Sequence, residues 1–147
     1  MPRSKFILPF RPTKSKEGFN VAWFYDDLYQ FNVHIIWPVN HRDLCAYLKR
    51  CFGIIMEPSE RTFNGKCSEV ITAAGQTGIH VISLAEWAND PKWHGVVAHE
   101  CFHATEQILD QRGLKHCDQT SEAWAYLLQS LVRRTLRCLG SRYARRK

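Results

Sequence analysis

The chain has 147 residues, of which 45% are hydrophobic and 23% are charged. This length and composition predict one globular domain with a core of its own, and they exclude a disordered tail as the main content of the chain. No apolar run approaches the roughly 20 residues that span a bilayer. The basic N-terminal stretch is interrupted by Pro9, which argues against a secretory signal, so we expect a cytoplasmic protein without a membrane segment.

The net charge of +6 comes largely from the two ends of the chain. Residues 1–18 are rich in Pro, Lys, Arg and Ser and predict a flexible basic arm, whereas residues 141–147 predict a basic tail. Such ends can bind nucleic acid or an acidic partner. We favour a solubilising role because residues 17–132 contain no comparable basic cluster and no nucleic-acid-binding motif. The folded domain is therefore expected over residues 19–140.

The six cysteines are scattered along the chain and form no Cys-x-x-Cys pair. This spacing is typical of buried, reduced thiols, which we favour. A zinc knuckle with cysteine ligands is the more specific but less common alternative. Cys101 lies inside the histidine motif described below. On a helix it faces neither histidine, so we expect it to pack in the core.

Four segments are dense in aromatic and β-branched residues and predict strands. They are residues 19–25, 31–37, 69–73 and 79–84. Turn residues separate the first two segments at Asp26 and Asp27, and a Gly-Gln-Thr-Gly run separates the last two. The first pair is therefore expected to form two strands or a hairpin, and the second pair a hairpin. The stretch from 54 to 66 is expected to be irregular.

Three segments place apolar residues at helical spacing. They are residues 41–52, a segment that starts at Pro91 and ends near Gly113, and residues 119–138. Gly53 and Gly113 are natural helix ends, and Asp90 is a good N-cap in front of Pro91. The elements together predict a single α+β domain, with a small mixed or antiparallel sheet, an upstream helix and an antiparallel helix pair.

The second predicted helix carries the motif His99-Glu100-Cys101-Phe102-His103. Two histidines four residues apart lie one turn apart on the same helix face, so both imidazoles can reach one metal ion. A carboxylate at Glu100 can accept a proton from water that the metal has activated. The motif therefore predicts a Zn²⁺ site with Glu100 as general base, although such a motif also arises by chance on solvated helices.

A catalytic zinc ion usually has three protein ligands and one open position. Glu122 approaches from the next helix and is our first choice for the third ligand. Glu106 lies on the same helix as the histidines, one turn further along, and we expect it to support the ligands or to lie on the surface. Asp118 is the main competitor, but its position suits a helix N-cap. Two histidines and a carboxylate also accept other divalent ions.

The motif with its downstream Glu122-Ala123 pair resembles the gluzincin branch of the zincin metallopeptidases. The resemblance covers residues 79–126, and the small size is similar to that of minimal zincin-like proteins encoded by bacteriophages. It implies one Zn²⁺ held by His99, His103 and Glu122, Glu100 as general base, and a peptide or protein substrate. It also implies a strand before the active helix whose free edge binds an extended peptide. That strand is Ile79, His80, Val81, Ile82, Ser83 and Leu84.

Two departures from the family pattern leave other functions open. Tyr126 stands where gluzincins place an aspartate that supports a histidine ligand. A single domain also lacks the second lobe that supplies an oxyanion donor, for which His116, Tyr126 and Tyr143 are candidates. The alternatives are a zincin-fold binding protein with little or no turnover, and a basic adaptor that binds nucleic acid through its ends.

Overall fold

The computed structural model describes residues 12–56, 62–71 and 78–140. This part of the chain forms a five-stranded mixed sheet and three helices, which confirms the predicted α+β class. The strands are β1 (Thr13–Lys14), β2 (Asn20–Asp26), β3 (Phe31–Trp37), β4 (Gly65–Val70) and β5 (Ile79–Leu84). The helices are α1 (His41–Phe52), α2 (Pro91–Gln111) and α3 (Ser121–Gly140).

The strands lie in the order β1-β2-β3-β5-β4. β2 and β3 pair antiparallel, and so do β4 and β5, as the sequence predicted. The turn predicted between β4 and β5 lies mostly in residues 72–77, outside the described residues. β3 and β5 pair in parallel, with Val33 opposite His80 and Ile35 opposite Ile82. This parallel pair joins the two predicted hairpins into one sheet.

The prediction that residues Ile79–Leu84 present a free edge is wrong. β5 is hydrogen-bonded to β3 on one side and to β4 on the other, so it is an interior strand. The physical reason is burial: every residue of β5 except Ile79 is buried, on both faces of the sheet. A strand with two buried faces belongs inside a sheet, whereas the more polar β4 can tolerate the edge. Among the strands of the described residues, the one at the sheet edge next to α2 is therefore β4.

Two segment boundaries also differ from the predictions. Thr13 and Lys14 pair with Val21 and Asn20, so the end of the expected flexible arm adds a short strand to the sheet. β4 begins at Gly65, inside a stretch expected to be irregular. The remainder of the arm, residues 1–11, and the basic tail, residues 141–147, lie outside the described residues.

The sheet separates two apolar layers, because alternate residues of each strand point to opposite faces. α1 covers one face, where Leu44, Tyr47 and Leu48 pack with Ile36 and Val81. α2 and α3 cover the other face. Their core contacts include Val97, Cys101, Ile108, Leu127, Leu131 and Cys138, packed with Val33, Ile35 and Ile82 of the sheet.

The capping groups confirm the predicted ends of α1 and α2, whereas α3 begins and ends two residues later than predicted, at Ser121–Gly140. Asp90 accepts a hydrogen bond from the Trp93 backbone N–H at 3.0 Å, and Pro91 is the first residue of α2. Gly53 and Gly113 follow their helices with positive φ angles of 69° and 71°, a conformation that glycine adopts without strain. The N-terminus of α2 is therefore set by local chemistry nine residues before the first histidine of the motif.

No helix in the described ranges is both long enough and apolar enough to cross a membrane. All six cysteines lie in the described part of the chain, and none of them forms a disulfide bond. Cys101 is buried in the core between α2 and α3, where its thiol lies 3.6 Å from the Thr135 hydroxyl.

Candidate metal centre

His99 and His103 lie side by side on the accessible surface of α2. Their Nε2 atoms are 3.1 Å apart, and their ring centroids are 4.7 Å apart. One imidazole donates its N–H to the other across this short distance, with the direction set by the tautomers. His99 is exposed and His103 half-buried, so the pair can be reached from solvent. The structure thus brings the two imidazole rings together.

The spacing of the two nitrogens fits a shared zinc ion. Zinc binds imidazole nitrogen at roughly 2.0 to 2.1 Å, so two tetrahedral ligands lie about 3.4 Å apart. The observed Nε2 separation of 3.1 Å is within a few tenths of an ångström of that distance. The separation of the two Nε2 atoms is therefore compatible with binding to one ion.

Glu100 points from α2 toward β4, and its side chain is only 5% exposed. Burial raises the pKa of this carboxyl, and the nearby His99 and His103, together with the Cys67 backbone N–H, partly oppose that rise. A carboxylate with a raised pKa holds a proton more strongly and is a better base near neutral pH. Glu100 is thus placed beside the imidazole pair in an environment that suits a general base.

Glu106 lies on the same face of α2 as the two histidines. Its Oε2 atom is 3.8 Å from Nδ1 of His103, and its side chain is exposed. A carboxylate at Nδ1 favours the tautomer that leaves Nε2 free to bind a metal ion. Glu106 thus lies at the surface close to His103, beyond hydrogen-bond distance of its Nδ1 atom.

Glu122 lies on the exposed side of α3 and is not brought to the histidine pair. α3 packs through an apolar stripe that includes Trp124, Leu127 and Leu131. At 100° per residue, Glu122 points about 200° away from Trp124 and so faces away from that stripe. Within residues 12–56, 62–71 and 78–140, no three His, Cys, Asp or Glu side chains come close enough to hold a metal ion together.

The other residues predicted on or before α3 are also exposed. Tyr126 is 67% exposed, one turn after Glu122. Asp118 lies in the loop, and Thr120 rather than Asp118 directly precedes α3. His116 packs edge-on against Trp124, with ring centroids 5.0 Å apart. Tyr143 lies outside the described residues.

The sequence predictions missed Phe102 as a surface residue of this centre. Its ring lies 6.2 Å from that of His103 and 6.3 Å from that of Trp124, and it is 46% exposed. Phe102 therefore forms an accessible apolar surface between the imidazole pair and α3. The signal in the sequence is its position inside the motif, three residues after His99 and next to His103.

A second missed feature is a polar cluster beneath the centre, between α2 and the sheet. His80 Nδ1 lies 3.0 Å from Gln107 Oε1, and the Cys67 thiol donates to the same oxygen at 3.6 Å. His80 is fully buried, and burial lowers the pKa of its imidazole. The ring is therefore neutral, and its Nδ1–H is the donor to Gln107. Residues Ile79–Leu84 thus support α2 from below instead of binding an extended peptide.

Comparison of the chain with protein families, with curated proteins and with solved structures finds no match.

Proposed function

We propose that this protein is a zinc-dependent hydrolase that cleaves a peptide bond. The observation that carries the proposal is the approach of the His99 and His103 Nε2 atoms to 3.1 Å on one helix face, with Glu100 between them in sequence. A bound zinc ion would polarise the scissile carbonyl and lower the pKa of a water molecule. Glu100 would remove the proton from that water and deliver it to the leaving amine.

The free edge of β4 is the surface on which an extended substrate would align. The Ala85 N–H donates to the Asn64 carbonyl at 2.8 Å, which marks Asn64 as a residue whose backbone groups face β5. Because backbone direction alternates along a strand, those of Gly65, Cys67 and Glu69 face the opposite edge, where the Cys67 N–H already interacts with the Glu100 carboxylate. A peptide strand could add there through main-chain hydrogen bonds. We propose β4 and not β5 as the substrate-binding strand, because β5 lies in the interior of the sheet.

A third protein ligand would complete the zinc site. Glu122 remains our first choice from the gluzincin resemblance, and a rotation of the first turn of α3 would be needed to turn it toward the histidines. Glu106 is the alternative, since it already lies 3.8 Å from His103 Nδ1. The two choices predict different effects of substitution on metal content.

Elemental analysis of the tag-free protein tests the metal centre. We expect about one zinc per chain in the wild type and its loss in His103→Ala. Loss in Glu122→Ala but not in Glu106→Ala would assign the third ligand to Glu122, and the reverse would assign it to Glu106. Asp110→Ala, an exposed acid on the same helix, is the matched control and should keep its zinc. No zinc in the wild type, even after refolding with zinc, would overturn the proposal.

A screen of peptide libraries tests the reaction. Glu100→Gln removes the base but keeps the shape of the side chain, so it should retain zinc and lose cleavage. Retained cleavage in Glu100→Gln would contradict the proposed mechanism.

We place the protein in the cytoplasm, a location that the six free thiols support.

A binding protein without turnover is the second candidate function. The exposed, outward position of Tyr126 favours it, because this residue does not support an imidazole ligand as the corresponding gluzincin aspartate does. Under this alternative, zinc-loaded wild type and Glu100→Gln would bind library peptides equally and neither would cleave them. Under the first proposal, only the wild type would release products.

A further inference from the structure

Gly65, the first residue of β4, lies where the strand passes unusually close to α2. A Cβ atom on this residue would lie 2.6 Å from Val96 Cγ1, 2.8 Å from Glu100 Cγ and 2.9 Å from Glu100 Oε1. Carbon atoms do not approach at such distances without displacement of one partner. The space that a side chain would fill at Gly65 is therefore already occupied by Val96 and Glu100.

The need for glycine here is one of space and not of backbone conformation. The glycines with positive φ in the described residues are Gly18, Gly53, Gly78 and Gly113, and Gly65 is not among them. Gly95, on α2, offers the contrast, because a Cβ atom there would meet nothing within 4 Å. A glycine inside a strand often marks a place where another chain segment approaches closely, and here that segment carries Glu100.

We propose that Gly65 is a positioning residue for Glu100, which lets the carboxylate lie against β4 beside the imidazole pair. The inference rests on the proposed hydrolase function for its catalytic consequence, but the steric relation between the two residues stands without it. A side chain at Gly65 would push the Glu100 carboxylate away from β4 and out of its place next to the motif histidines. Glycine at this position thus sets the location of the general base.

A double-mutant cycle on stability tests the steric relation without any substrate. The Val96→Ala background removes the closest clash, so Gly65→Ala can then be introduced with or without Glu100→Ala. We expect Gly65→Ala to lower Tm clearly when Glu100 is present and much less in the Glu100→Ala background, because the clash partner is gone. Gly95→Ala is the matched control and should not lower Tm, since alanine is the better helix former. An equal fall in Tm in both backgrounds would overturn the proposal.

Kinetics of the zinc-loaded enzyme tests the catalytic consequence. Gly65→Ala/Val96→Ala should lower kcat by roughly tenfold or more, with KM and zinc content unchanged, because a displaced base affects the chemical step. Val96→Ala alone should keep its kcat. Unchanged kcat in the double variant would show that Gly65 does not position the base. Absence of cleavage by the wild type would reject the hydrolase function, and the stability cycle would then decide the steric relation by itself.

Discussion

The Nδ1 atom of His80 lies 3.0 Å from Oε1 of Gln107 and ties the interior of the sheet to α2. Gln107 follows His103 by one turn and contacts the sheet through His80. Because both partners are buried or half-buried, the bond is costly to leave unmade. It therefore helps to fix the rotation of α2 about its axis, with Glu100 toward β4 and the two histidines toward solvent.

The first prediction concerns this contact. Gln107→Leu should lower the free energy of unfolding by about 1 to 3 kcal/mol, because it leaves the buried Nδ1–H of His80 without an acceptor. Urea unfolding measures the loss. Gln111→Leu is the control: Gln111 lies one turn further and donates to Glu69 at a solvent-exposed site, so a change below about 0.5 kcal/mol is expected. Equal losses in the two variants would contradict a special role for Gln107.

The second prediction is a loss of stability in mild acid through His34. Burial lowers the pKa of its imidazole from 6.5 to about 4, with Trp23 and Phe52 packed around the ring. Between these two values the unfolded chain holds a proton at this site that the folded protein does not hold. Stability is therefore complete above pH 6.5 and falls as the pH drops toward 4, by at most about 3 kcal/mol.

Urea unfolding of the wild type and of His34→Gln between pH 4 and pH 7 measures this dependence. The variant should show a smaller loss across that range, though not a flat profile, because the buried His80 has a lowered pKa and acts in the same direction. A slope unchanged by His34→Gln would argue against the prediction.

The third prediction concerns the attachment of α3 to β2 through Arg134. Its guanidinium lies 3.0 Å from Asp26 Oδ2 and 2.7 Å from the Tyr25 carbonyl oxygen, and it stacks over the Phe24 ring at 4.2 Å. Lysine cannot make both hydrogen bonds and the stacking contact together. Arg134→Lys should therefore lower the free energy of unfolding by about 1 to 2 kcal/mol. Thermal unfolding beside the exposed Arg133→Lys, which should match the wild type, checks the expectation.

The fourth prediction distinguishes the two exposed thiols, Cys51 and Cys117. The pKa of Cys117 is lowered, mainly by its hydrogen bond with the Thr120 hydroxyl and further by the backbone N–H groups of Gln119 and Thr120. The thiolate is the reactive form, so Cys117 should be alkylated faster than Cys51 at pH 7. Mass spectrometry after timed iodoacetamide treatment measures both sites. Thr120→Val should slow the reaction of Cys117 and leave Cys51 unchanged, and equal rates in the wild type would count against the assignment.

Most elements of the fold could be predicted from local patterns in the sequence. Residues 31–37, 41–52 and 79–84 form β3, α1 and β5 with the predicted bounds. Local chemistry explains this agreement, because turn residues, helix caps and apolar spacing act within a few positions of the residues they control. The pairing of His99 with His103 belongs to the same class, since a spacing of four residues on one helix brings two side chains together wherever the helix lies.

What the sequence by itself determined is therefore the identity of the elements and the imidazole pair on α2. The tertiary structure decided that β5 lies beside β3 and not at an edge, because strand neighbours distant in sequence are chosen by burial of both faces. It decided that Glu122 faces away from the pair, because the whole apolar stripe of α3 sets the rotation of that helix. It also brought Gly65 against Glu100. The approach of β4 to α2 depends on packing between segments distant in sequence, which local sequence patterns do not predict.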